Sequence, residues 1–202
     1  MYNVSMYLLA NFAEVDSTRT ALMRSGLELL AEKGYKGATT REIAARAGVS
    51  EVTLFRQFGS KEVLLQEAIQ KLTPPMAQIL PKPSSDLEAD LLYLTQNYLR
   101  MLEANQGLLV RLLPELIRHP ELRGEAGPMG LKNAMTTAFG YFAAQQKAGL
   151  LRSDESPFQA AVALLGPLFA QTLLFGAMGI QPPFDLKAHV RGFLEGRRYG
   201  QR

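Results

Sequence analysis

The chain has 202 residues and no cysteine, which excludes disulfides and thiolate metal sites and fits a reducing cytoplasm. A hydrophobic fraction of 47% is ordinary for one or two domains with a real core, and a net charge of +3 is too small to mark the chain as generally basic. The two histidines, His119 and His189, lie far apart, so no metal site is assigned. No Ser nucleophile motif, Gly-rich phosphate loop, HExxH or CxxC spacing points to an enzyme or to a bound cofactor. Glu115 and Glu121 flank His119, but Pro114 and Pro120 break the helical spacing that would pair them.

In chain order, residues 1–16 hold a short apolar run that is too short to span a membrane. It lacks the basic leading residues of a signal peptide, since the first arginine is Arg19. It reads as a tail, with Met6 an alternative start. Residues 17–33 read as a first helix with Leu22, Leu29 and Leu30 at helical spacing, small Gly26 among them and Gly34 as the stop.

Residues 39–62 carry the densest set of signals. Thr39 and Glu42 have capping-box spacing, Ile43, Ala44 and Ala47 form an apolar face, and Gly48 suits a left-handed helix end. Ser50 is an N-cap, and Val49 with Leu54 has the spacing of a hydrophobic staple. Two short helices joined by a tight Gly-containing turn make a helix-turn-helix. At 100° per residue the second helix, 50–58, places Leu54, Phe55 and Phe58 on one side and Val52, Thr53, Arg56 and Gln57 on the other. The second face suits a major groove, where methyls meet thymine and Arg or Gln bond base edges. Gly59 ends that helix. Ser60 caps the next, whose free amides and Lys61 make a phosphate anchor. Residues 1–72 carry 9 Lys and Arg against 8 Asp and Glu, so the case rests on where Arg41, Arg46, Arg56 and Lys61 fall.

Residues 17–72 resemble the DNA-binding domain of the TetR family of bacterial transcriptional regulators. The resemblance lies in Gly34, Thr39, Thr40, Ile43, Ala44, Ala47, Gly48, Val49, Ser50, Thr53, Leu54, Phe55, Phe58, Gly59, Ser60, Lys61 and Glu62 at their fixed spacing. It implies an all-α chain: a three-helix helix-turn-helix domain, then a C-terminal helical ligand-binding and dimerisation domain, about nine helices in all. It also implies DNA contacts by Thr40, Arg41, Ser50, Glu51, Val52, Thr53 and Lys61, to which Phe55, Arg56 and Gln57 are added as candidates. Two positions depart from the family pattern. Phe55 stands where Tyr is frequent and cannot donate a hydroxyl hydrogen bond; Gln57 stands where His is frequent and still can.

The helix at 61–72 has Leu64, Leu65, Ala68, Ile69 and Leu72 on its inner side, and 73–85 reads as a proline-rich connection to a second domain at 86–202. Ser85 and Glu88 have capping-box spacing, and Leu87, Leu91, Leu94, Tyr98 and Leu102 predict a helix ending near Gly107. A separate helix at 108–118 is predicted to kink at Pro114 and end at Pro120. Pro128 reads as a first-turn proline of a helix marked by Leu131, Met135, Ala138 and Phe142 and stopped by Gly149.

Residues 158–178 contain no Lys, Arg, Asp or Glu. About 20 apolar residues can span a bilayer, but Gln159, Gln171, Pro167 and the lack of flanking basic clusters argue for no membrane. A soluble helix apolar all round needs cover all round, one face from its own domain and the other from a second subunit. The pair of helices at 156–199, the last opened by Asp185, therefore reads as a homodimer interface, as the resemblance also implies. Dimers let two recognition helices read a palindromic double-stranded DNA operator in major grooves about 34–36 Å apart. The resemblance further implies a small apolar or amphipathic effector that releases a repressor. Tyr98, Met101, Leu102, Leu113, Met135, Phe139 and Phe142 are candidate pocket residues, although such a stripe is more often ordinary core. The alternative is a helical ligand-binding or interaction protein whose DNA reader has decayed, with Phe55 as a symptom.

Overall fold

The computed structural model describes residues 17–72, 79–82, 84, 86–123, 129–180 and 183–197, apart from the side chains of 72, 123 and 129–135. The expectations for the tail with Met6, for most of the proline-rich connection with its Ser85 cap, for Pro128, for the side chains of Leu72, Leu131 and Met135, and for a helix reaching Tyr199 lie outside those residues. Among the described residues all elements are helical: α1 Thr18–Gly37, α2 Thr40–Arg46, α3 Glu51–Phe58, α4 Lys61–Leu72, α5 Leu87–Arg118, α6 Met129–Lys147, α7 Pro157–Phe169 and α8 Leu186–Glu195. A 3-10 turn, Pro120–Arg123, follows α5, and a π-helical segment, Ala170–Phe175, continues α7. Two compact units form, Met1–Pro74 with Gly107–Lys132 and Pro75–Gln106 with Asn133–Arg202.

In the first unit, Ser17 caps α1 by accepting from the Thr20 amide at 3.2 Å. Leu22, Leu27, Leu29 and Leu30 then bury with Ile43, Ala44, Leu54, Phe58, Leu64, Leu65 and Ala68. A methyl group at Gly26 would lie 2.5 Å from Leu64 Cδ2, so the missing side chain is what lets α1 and α4 approach. The helical path breaks at Gly34, φ 70° and ψ 177°, a conformation close to glycine's own, and three more residues wind on beyond it.

The two helices expected on either side of Gly107 are one. α5 runs unbroken through Gly107 and Pro114. A helix-interior glycine costs about 1 kcal/mol and a proline about 3. Leu108 and Leu112, each 2% exposed, offset this by roughly 1.5–3 kcal/mol apiece.

The second unit packs Leu87, Leu91 and Leu94 of α5 against Tyr141 and Phe142 of α6, Leu164 and Leu165 of α7, and Val190, Phe193 and Leu194 of α8. Phe142 meets Phe193 edge-on at 6.3 Å. Ser156 and Gln159 form a reciprocal capping box for α7, with Pro157 in its first turn. Asp185 caps α8, and the amides of Ala188 and Lys187 hold its carboxyl below the usual range. α8 ends at Glu195, with Gly196 at its C-cap.

The stretch Pro157–Phe175 is long and apolar enough by composition to cross a membrane, with 39% of it buried. Ala160, Ala161, Leu164, Leu165, Leu168, Thr172 and Leu173 are the covered side, while Phe158, Val162, Phe169, Leu174 and Phe175 are exposed. The buried Gln106 amide donates to the Thr172 carbonyl at 2.6 Å, supplying a partner where the winding changes.

Candidate nucleic-acid interface

The reading head is built by local caps. Thr39 Oγ1 accepts from the Glu42 amide at 3.2 Å and starts α2. Gly48 takes φ 70°, which returns the chain so that the Val49 amide bonds the Ala44 carbonyl at 3.0 Å. Val49 packs against the core as the staple requires, and Ser50 Oγ accepts from the Thr53 amide at 3.2 Å to start α3. Gly59, φ 76°, closes α3 with its amide on the Phe55 carbonyl at 2.8 Å, and Ser60 Oγ caps α4 through the Val63 amide.

Only Leu54 and Phe58 of α3 are buried. Val52 is 76% exposed, and Arg41, Ser50 and Arg56 are exposed as well. Thr53, Gln57 and Lys61 are half-buried. The Thr40 hydroxyl donates to the Glu51 carboxylate, tying the start of α2 to the start of α3. Three placements differ from expectation. Phe55, grouped with the inner residues, is 47% exposed, because the neighbours cover only the arc holding Leu54 and Phe58. Gln57 is partly covered rather than fully outward. Arg46 is engaged by the domain itself: its guanidinium donates to both Glu32 oxygens at 2.8 Å, with Glu28 at 3.8 Å, and holds the Glu32 carboxyl below its usual range.

Two features escaped the sequence. Arg19 donates to the Gln57 carbonyl at 2.6 Å and to the Glu67 carboxylate at 2.7 and 2.5 Å, and lies 4.2 Å over the Phe58 ring. It places a cation at the C-terminal end of α3, where the helix dipole favours one, and links α3 to α4. Lys61 Nζ donates to the Tyr35 carbonyl at 2.9 Å and sits 4.0 Å over the Tyr35 ring. The Tyr35 hydroxyl donates to the Glu62 carboxylate; burial and that bond push the phenol well above its ordinary value and hold Glu62 below its own. Pairs separated by 38 or 26 residues leave no periodic trace in a sequence.

The candidate pocket residues whose side chains are described fall in both units. Tyr98 and Phe139 lie against the core of the second unit, Phe142 is wholly inside it, and Leu102 is buried while Met101 is half-buried. Leu113 belongs to the first unit. Burial pushes the Tyr98 hydroxyl up to about 12, so it stays protonated. The Tyr141 hydroxyl is the one buried side-chain polar atom without a partner among the described residues. Those residues hold no group of three or more His, Cys, Asp or Glu able to bind a metal ion.

The described residues form helices and turns, and one face of a capped, eight-residue helix is presented to solvent from a helix-turn-helix. Residues 22–68 match the model of the family described as bacterial regulatory proteins, tetR family. That match spans the helix-turn-helix domain, 47 of the chain's 202 residues. It is 34% identical over 92 residues to an uncharacterised HTH-type transcriptional regulator, YvkB, of Bacillus subtilis, covering 46% of this chain and 49% of that protein. It is 45% identical over 47 residues to the class C tetracycline repressor protein of Escherichia coli, covering 23% and 22%. The chain thus matches about half the length of the first relative and less than a quarter of the second. Over its full fold it is similar to the flavonoid-responsive regulator FrrA, with a TM-score of 0.73 at 22% identity over 92% of this chain and 98% of that one.

Proposed function

We propose that the chain is a dimeric, sequence-specific DNA-binding transcriptional regulator without catalytic activity, acting in the cytoplasm as a repressor that a small apolar or amphipathic effector releases from a palindromic operator. The observation that carries this is the outward face of α3, where Val52 and Arg56 stand free above a core that locks Leu54 and Phe58. Val52 and the Thr53 methyl suit thymine methyls, and Arg56 and Gln57 supply donors for base edges. Arg41, Thr40 and Lys61, at the starts of α2 and α4, are read as the backbone-phosphate contacts. The exposed apolar side of Pro157–Phe175 supports pairing with a second copy, since an all-apolar helix left half-uncovered favours association. The effector reading draws on the aromatic core around Tyr98 and Phe139 and on the flavonoid response named for FrrA.

Selection of bound fragments from random duplexes tests the reading; an enriched two-fold symmetric sequence is expected, and no enrichment at low salt overturns it. On that operator, Thr53→Ala or Arg56→Ala is expected to lose about 1–3 kcal/mol of discrimination at particular base pairs. Lys61→Ala should instead weaken operator and random DNA equally, and no loss on either removes its phosphate role. Leu174→Arg with Phe175→Arg is expected to give a folded monomer in light scattering that no longer binds the operator. A dimer that survives both substitutions places the interface elsewhere.

A further inference from the structure

The break at Gly34 sets up an arrangement that base reading does not use. Beyond it, the Tyr35 amide donates to Glu115 Oε2 at 2.6 Å, the Tyr35 ring lies 4.6 Å from the His119 ring, and its hydroxyl reaches Glu62. Glu115 is itself buried and paired with Arg118 at 2.8 Å. Tyr35 is therefore held by its amide, its ring and its hydroxyl, all within the first unit. What it has left, its carbonyl and the other part of its ring, receives the Lys61 ammonium. A free lysine samples many rotamers on its four-carbon stem, and ordering it on DNA opposes binding. Here the ammonium is ordered in advance, with one of its three donors on the Tyr35 carbonyl and two remaining.

We propose that Tyr35 is a positioning residue that holds the Lys61 ammonium at the N-terminus of α4 ready for a DNA phosphate. This rests on the reading of Lys61 as a phosphate contact, and the test separates the two. Affinity of the full chain for operator and random duplexes is measured for Tyr35→Leu, Tyr35→Phe, Lys61→Ala and Tyr35→Leu combined with Lys61→Ala, with thermal melts alongside. Tyr35→Leu is expected to weaken both DNAs about two- to fivefold, the scale of a part-exposed cation–π contact. Tyr35→Phe, which keeps ring and carbonyl but loses the hydroxyl's hold on Glu62, should fall between the parent and Tyr35→Leu. In the Lys61→Ala background Tyr35→Leu should add no loss. An equal loss in both backgrounds, or tighter binding by Tyr35→Leu, overturns the positioning role while leaving Lys61 on phosphate. No loss for Lys61→Ala itself overturns the phosphate reading and the proposal with it. Should Tyr35→Leu melt early, the parent answers by NMR: the Lys61 Hε resonances should be shifted upfield by the Tyr35 ring and stay so when DNA is added. Their return to ordinary positions on DNA overturns the proposal.

Discussion

Gly34→Val is expected to remove about 2–6 kcal/mol from the first unit, a large share of the roughly 5–15 kcal/mol that a domain of ordinary stability possesses. Two effects add. A β-branched residue at φ 70° and ψ 177° carries about 1–3 kcal/mol of backbone strain. Its Cβ would also stand 3.0 Å from Glu115 Oε2 and 3.3 Å from Glu115 Cδ, forcing the carboxylate off the Tyr35 amide. A buried polar group left without its partner costs about 1–3 kcal/mol more. Denaturant unfolding of the full chain reads the result as an early transition that reports the first unit. A loss under about 1 kcal/mol would mean that the backbone at 34 does not need the left-handed region.

Leu54→Ala is expected to cost about 2–5 kcal/mol, the range for emptying a fully buried leucine site. Leu54 is 0% exposed and joins α3 to Ile43, Ala44 and the leucines of α1 and α4. An eight-residue helix does not persist in water alone, so α3 is helical because that contact and Phe58 hold it there. Operator affinity should fall together with stability. Val52→Ala, two residues earlier and on the opposite, 76% exposed side, should change stability by no more than about 0.5 kcal/mol while altering the preferred base. Equal destabilisation by the two substitutions would show that the faces of α3 have been assigned the wrong way round.

The parts of the fold that were legible beforehand are those whose causes lie within a few residues. Thr39, Ser50 and Asp185 cap the helices they were expected to cap, and Gly34, Gly48 and Gly59 all take positive φ at breaks or ends. Each is a matter of an unpaired amide and a side-chain oxygen three residues away, or of a backbone conformation that lacks a Cβ clash. The helix through Gly107 and Pro114 was illegible for the opposite reason. Local preference argues for a break there, and only the burial of Leu108 and Leu112 against residues far away in the chain outweighs it. Phe55 failed similarly: a helical wheel gives its direction, but the width of the covered arc depends on what stands opposite.

By itself, then, the sequence determined the helical class, the helix-turn-helix with its caps, and the all-apolar character of 158–178, because propensity, capping and periodicity are short-range. Tertiary structure alone decided that Arg46 answers to Glu32 while Arg41 and Arg56 stay exposed, that Arg19 clamps the end of α3, and that Lys61 rests on Tyr35. It also decided which side of Pro157–Phe175 is covered. Charged side chains of equal formal charge differ only in what the folded chain sets beside them, and an apolar helix has no inner face until something packs against it.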